Sequence, residues 1–419
     1  MRTDLKAVVA WTLYDFANSA FVAIVPATVY SKYYALVVVG NERGEGDFWW
    51  GLAVTVSMAI VALVSPPLGS IADYAGVRKR FLLLFTYVSV AATVLMATVE
   101  KGDVLWGWLL AVVGIVGFEG AIVYYNAYLP DLVPPARQGR LSAYGFAVGY
   151  AGSAVALGAA LPFALAENYR GTFLVAALLF GLFALPAVLY LPPDRPGRES
   201  LSGAIRAGFA QTWATVRRIL AQPALRRFLL AYLFFEDGVN TVVFFSSIFA
   251  GHTLGFTTSE VILLYFIVQL SALGGAWAWA RPIDFRGPKF VVMCTLVQWC
   301  LVVLAAFFVR TKPQFFVVAI LAGTGLGAVQ AASRAFMASL IRKGQEAELF
   351  GFYSLCGKAA AILGPQIFWV ASRTTGSQRV AILAVGMLFL AGLVIVSGVK
   401  GGGPTARPTP DPLQEPTVT

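Results

Sequence analysis

Charge is what this sequence has least of: 12% of its 419 residues are charged, against roughly 25% in a soluble domain. With 58% of the chain hydrophobic, that shortage excludes an ordinary water-soluble fold and leaves a polytopic membrane protein. Histidine is nearly absent as well. His252 stands alone, without a partner motif beside it, which argues against a membrane enzyme acting on lipids or isoprenoids. The three cysteines are Cys294 and Cys300 on one apolar run and Cys356 on another, with no metal-ligand spacing. No Gly-x-x-x-x-Gly-Lys-[Ser/Thr] loop occurs, so ATP-driven pumping lacks its phosphate cradle. The sequence therefore offers no catalytic residue, no cofactor and no metal.

What the chain does have is apolar length. Cutting it at charged and Pro/Gly-rich breaks leaves twelve runs, 6–38, 48–71, 80–99, 104–129, 141–166, 171–191, 225–250, 258–280, 290–309, 314–340, 349–372 and 378–399. Each reaches the ~20 residues that a bilayer-spanning helix needs. The first follows Arg2 and Lys6 but carries Asp15 and Asn18 and shows no small-residue cleavage site, so it reads as a retained helix rather than a signal peptide. Lys and Arg are distributed with a roughly threefold bias toward one set of loops. That bias places both termini in the cytoplasm, in a cell inner membrane, and accounts for the net charge of +10 without a nucleic-acid partner.

The longest connector divides the chain. The expected organisation is an N-terminal six-helix bundle over 1–191, a cytoplasmic linker over 192–224, a C-terminal six-helix bundle over 225–399 and a disordered tail over 400–419. The linker opens "PPDRPGRES" and continues into an amphipathic, interfacial piece containing Arg206, Trp213, Arg217 and Arg218. The two halves also repeat. "DFANS" (Asp15–Ser19) matches "DGVNT" (Asp237–Thr241), and "DYAGVR" (Asp73–Arg78) matches "DFRGPK" (Asp284–Lys289). "GFEGAIVYYNAY" lies alongside "GLGAVQAASRAF", aligning Asn126 with Arg334. Parallel repeats of this kind relate the halves of one large transporter class, which holds its substrate at the midplane between them.

With these motifs in hand, the chain resembles the major facilitator superfamily. "GSIADYAGVRKR" (Gly69–Arg80) looks like its loop signature, with Tyr74 where an Arg is usual. "LYDFANSAF", "YYNAYLPDL", "FEDGVNT", "QAASRAF" and "FGFYSLCGKAAAILGP" look like the branch related to the autophagy-associated vacuolar amino-acid effluxer. The resemblance implies an all-α membrane protein of twelve transmembrane helices in two pseudo-symmetric bundles, working as a secondary transporter and not as an enzyme. It also implies that Gly69, Asp73, Gly76 and Arg78 form a conformational latch for the outward-open state.

The charges within the runs carry the functional reading. An unpaired charge at the bilayer centre costs about 2.5–3.5 kcal/mol. At ~1.5 Å per residue, Asp15, Glu119, Asp237, Arg334 and Lys358 all lie roughly 12–18 Å from the nearest cytoplasmic charge. That is one slab near the midplane of a ~30 Å core, so they must face one another or a wet cavity. For the adjacent pair Glu236 and Asp237, the match to Asp15 selects Asp237 as the cavity residue and leaves Glu236 structural. Asp15, Asn18, Glu119, Asn126, Asp237, Asn240, Arg334 and Lys358 are thus the candidates for substrate or proton coupling. Each has a plainer alternative: Asp15 with Arg334 or Lys358 as a buried latch, and Asn18 and Asn240 as interhelical hydrogen bonds. The small-residue stretches of helix five and of Gly357–Gly364 are expected at the interface between halves.

The expected cargo is a small organic solute, best matched by a zwitterionic amino acid. Arg334 or Lys358 would hold its carboxylate, and Asp15, Glu119 or Asp237 its ammonium or a coupling proton. A lysolipid or amphipathic drug is the alternative cargo, and a receptor without transport is a third possibility. Membrane lipids are the surrounding partner. The residues leave the direction of transport open.

Overall fold

The computed structural model describes residues 4–400 apart from 43, 195, 198, 199, 361 and 362; the expected tail lies outside them, save for its first residue. The described chain is helical, and twelve helices are long and apolar enough to cross a membrane. They are α1 (Leu5–Val39), α2 (Glu45–Ala75), α3 (Arg78–Thr98), α4 (Val104–Leu132), α5 (Pro135–Leu165), α6 (Tyr169–Tyr190), α7 (Pro223–Gly251), α8 (Leu263–Arg286), α9 (Pro288–Phe308), α10 (Lys312–Leu340), α11 (Glu346–Thr375) and α12 (Gln378–Ser397). All twelve overlap the runs read from hydropathy. The linker carries one further helix, Leu201–Ala221, which turns Ala204, Thr215 and Ile219 inward and leaves Trp213 and Leu220 exposed.

Two of the long helices are interrupted. In α1 the regular helix stops at Ile24 because Pro26 has no N–H to donate and crowds the preceding turn. The chain resumes as a short turn and then a wide π-type helix over Tyr33–Val39. In α11 there are two pieces, Glu346–Ala359 and Leu363–Thr375.

Helices α1–α6 and α7–α12 form the two halves, which meet chiefly along α2 with α11 and α5 with α8. Glycine sets these approaches at the end of the bundle that carries both termini. A Cβ on Gly69 would stand 2.4 Å from the Ala347 carbonyl oxygen, and one on Gly351 would stand 2.7 Å from that of Ser65. On the other seam, a Cβ on Gly139 would meet Ile283 at 2.3 Å. The small residues expected to line this interface differ. Gly149 and Gly152 pack on Ser19 and Phe16 of α1, and Gly364 packs on Thr241 and Asp237 of α7, so these glycines serve contacts within a half, whereas Gly145 of the same α5 stretch stands against Arg334 of the other half. Where the bundle is shut, Gly69, Gly139 and Gly351 supply the close approach between the halves.

Candidate functional site: a chamber between the halves and its seal

The sealed end is built from the repeated loop. Gly76 ends α2 with φ +69, and its N–H bonds the Ala72 carbonyl; a left-handed turn of this kind favours glycine. The turn sets Asp73 under the start of α11, where its carboxylate accepts the backbone N–H groups of Ala347 at 3.2 Å and Glu348 at 2.9 Å. An anion at a helix N-terminus meets unpaired donors and the positive end of the helix dipole. Arg78 then bonds three carboxylates: Asp73 at 2.6 Å, Asp131 at 3.0 Å, and Glu346 of the other half.

The second copy of the loop does the same work in mirror order. Asp284 of α8 accepts the backbone N–H of Arg140, near the start of α5, at 2.9 Å, and the Arg140 side chain lies 3.3 Å from it. Each half thus places an aspartate on a helix of the other. Asp284, Asp131 and Glu346 are missing from the candidates that depth and charge select in the sequence, although the repeat itself pairs Asp284 with Asp73.

Deeper in the bundle lie the expected charges. Arg334 of α10 bridges to Asp15 of α1 at 3.1 Å from both terminal nitrogens. Its other donors reach the Ser142 hydroxyl (2.9 Å), the Ser142 carbonyl (2.7 Å) and the Asn126 side chain (3.4 Å). The Ser142 hydroxyl in turn donates to the Ala331 carbonyl at 2.8 Å. Trp11 and Phe146 present ring faces 4.7 and 4.1 Å from the guanidinium carbon, close enough for cation–π attraction. Gly145 makes room, since a Cβ there would stand 2.3 Å from the Asp15 carboxylate. Asn18 donates to Asp15 at 3.4 Å. With the Arg334 side chain 3% exposed, this is a buried, saturated pair across the halves.

The second pair is open. Lys358 of α11 donates to Glu119 of α4 at 2.5 Å, again across the halves, with 25% of the lysine side chain exposed. Both residues line a chamber of about 1720 Å³ between the halves. The chamber runs from Asp15, Asn126 and Arg334 toward Lys32, Leu36, Tyr169 and Val261, at the end away from the termini. No member of the Arg78 cluster lines it.

Asp237 is where the structure corrects the expectation from sequence. It turns away from the chamber, and its carboxylate accepts the backbone N–H groups of Leu363 and Gly364 at 2.9–3.0 Å. Asn240, by contrast, does line the chamber, while donating to the Ala360 carbonyl of α11 at 2.9 Å. Glu236, assigned a structural role from sequence, lines the chamber instead, and one of its oxygens accepts Gln330 Nε2 at 2.7 Å. Neighbours on a helix point about 100° apart, so only one of the two acids can face inward. The second piece of α11 claims Asp237. Ser142 and Gln330, both missed from sequence, are polar residues without a charge signal.

Comparison with known proteins agrees with this architecture. The family described as "Vacuole effluxer Atg22 like" matches residues 51–401. The uncharacterized MFS-type transporter YxiO of Bacillus subtilis is 31% identical over 412 residues, covering 95% of this chain and 96% of the relative. Autophagy-related protein 22-1 of Aspergillus niger is 23% identical over 461 residues, 87% and 74% of the two chains. Among solved structures, the human organic anion transporter MFSD10 aligns with a TM-score of 0.73 at 16% identity, over 94% of this chain and 99% of that one. The family match and the Bacillus relative show an integral, multi-pass transporter of the major facilitator superfamily, not an enzyme. Within that superfamily the chain belongs to the Atg22-like vacuole effluxer family.

Proposed function

We propose that the protein is a proton-coupled secondary carrier for amino acids, working by alternating access, with efflux as its direction. The observation that carries this reading is the Lys358–Glu119 pair. It joins the halves inside the chamber at 2.5 Å and keeps its lysine partly exposed. A solute carboxylate competes with Glu119 for Lys358, and the released Glu119 takes up a proton, so charge stays balanced through the exchange. Because the pair spans the halves, its occupancy biases one arrangement over the other. Arg334 is saturated by protein groups and serves as a latch, not as the solute's partner. The family's description as effluxers supports the direction.

With both termini in the cytoplasm of an inner membrane, as the basic loops suggest, the chamber faces outward and the Asp73, Arg78 and Asp284 contacts close the inner side. Gly69 and Gly76 shape that closure. A second reading, an amphipathic cargo such as a lysolipid, is favoured by the chamber's volume, which exceeds the roughly 300–1,000 Å³ of ordinary small-molecule sites. Flux of labelled leucine into proteoliposomes, with and without a proton gradient, tests the proposal. Leucine transport that responds to the gradient and disappears in Lys358→Ala is the expected result. Leucine flux equal to that of empty liposomes, alongside lysolipid movement, selects the second reading.

A further inference from the structure

Three acids and three bases line the chamber, Asp15, Glu119 and Glu236 against Lys32, Arg334 and Lys358, yet only two ion pairs form among them. Asp15 is matched by Arg334 at 3.1 Å, and Glu119 by Lys358 at 2.5 Å. Asp237 is satisfied by backbone donors and does not line the chamber. Glu236 is left over. Its side chain lies on the chamber wall and the residue is 7% exposed. One carboxylate oxygen accepts Gln330 Nε2 at 2.7 Å, and the other, Oε2, is buried without a hydrogen-bond partner among the described residues. Lys358 is already committed to Glu119.

A buried carboxylate with half its acceptors unmet is costly, because the unmet group has lost its water without replacement. A group left in that condition calls for a partner, whether a water, an ion or a ligand, and Glu236 is one whose residue also lines the chamber. We propose that Glu236, oriented by Gln330, is the amine subsite of the chamber and accepts the ammonium group of the transported solute. This rests on the amino-acid reading above and assigns the solute's two ends: carboxylate to Lys358 on α11, ammonium to Glu236 on α7. The surroundings suit a cation. Tyr150 of α5, Tyr232 of α7 and Tyr353 of α11 line the chamber with it. They offer aromatic surface that a cation prefers to a second anion. The Gln330 bond occupies one carboxylate oxygen and leaves Oε2 as the unused acceptor, which a primary ammonium meets once the buried carboxylate turns toward the chamber.

The test uses the purified full chain in detergent, with binding measured by calorimetry. The probes are leucinamide, which keeps the ammonium, N-acetylleucine, which keeps the carboxylate, and leucine. Leucinamide binds the native chain, and Glu236→Gln weakens it by roughly tenfold or more, the loss expected for a hydrogen bond to a charged group. N-acetylleucine still binds that variant, and Glu236→Asp retains part of the leucinamide affinity. The proposal is overturned if leucinamide binds Glu236→Gln as tightly as the native chain, if the loss occurs in Glu119→Gln instead, or if no ammonium probe binds the native chain. Leucinamide binding that depends on Glu236, without any binding of leucine, keeps the subsite and removes the amino-acid cargo.

Discussion

The two halves carry the same Asp-x-x-Asn-[Ser/Thr] sequence on their first helices and put it to different use. In α1, Asp15 is neutralised by a full positive charge, Arg334, contributed by the other half. In α7, Asp237 is neutralised by the backbone N–H groups of Leu363 and Gly364, contributed by its own half. Both aspartates face the glycine-bearing helix that the repeat pairs with theirs, α5 for Asp15 through Gly145 and α11 for Asp237 through Gly364. The difference lies in what answers the charge. A bond between halves must break when the halves part at that level, whereas a bond within a half travels with it. One copy of the motif is therefore coupled to conformation, and the other holds a helix in place.

The largest expected effect breaks the first arm of that comparison. Arg334→Ala leaves Asp15 buried and unpaired, which costs about 3–5 kcal/mol and lowers the melting temperature in detergent. Asp15→Asn combined with Arg334→Gln restores most of the loss. If Arg334→Ala melts with the native chain, the buried pair contributes nothing and the contrast between halves is void.

Asp237→Ala breaks the second arm. Two backbone donors lose their acceptor, at about 1–3 kcal/mol, and the damage is local. Amide hydrogen exchange should quicken over 363–375 while 346–359 keeps its protection. A uniform change over both pieces would show that Asp237 does more than hold the second one.

Next comes the seal. Arg78→Ala removes three carboxylate contacts, one of them across the halves, and should shift the balance of conformers by roughly tenfold. Spin labels at the exposed positions 137 and 286, in a chain with its cysteines replaced, would report a longer distance. The mirrored Asp284→Ala should open the same end to a similar degree. An unchanged distance in both variants would mean that helix packing alone closes it.

The smallest effect belongs to the surface. Arg170 and Glu100 form a pair at 2.6 Å with both side chains more than half exposed. Arg170→Ala should cost under about 1 kcal/mol, with no change in the label distance.

Much of this arrangement is legible in the order of residues. A charge within an apolar run must find a partner or water, so Asp15, Glu119, Arg334 and Lys358 announce themselves by composition and depth. The loop signature is equally readable, because Gly76 needs a left-handed turn and Gly69 a bare backbone. Glu236 and Asp237 are not. Adjacent on a helix, they are separated only by its rotation about its own axis, and no periodicity in so uniformly apolar a segment reports that angle. The glycine stretches of α5 and α11 mislead for the same reason: a small residue marks close approach without saying to whom.

Hydropathy and the cost of desolvating charge determined, from sequence alone, twelve spans, two repeated halves and a belt of charge between them. Tertiary packing decided which opposite charges meet, which acid faces the chamber, and which end of the bundle is shut. Those outcomes depend on helix rotation and on contacts between residues hundreds of positions apart, such as Asp15 with Arg334. Local composition does not encode them.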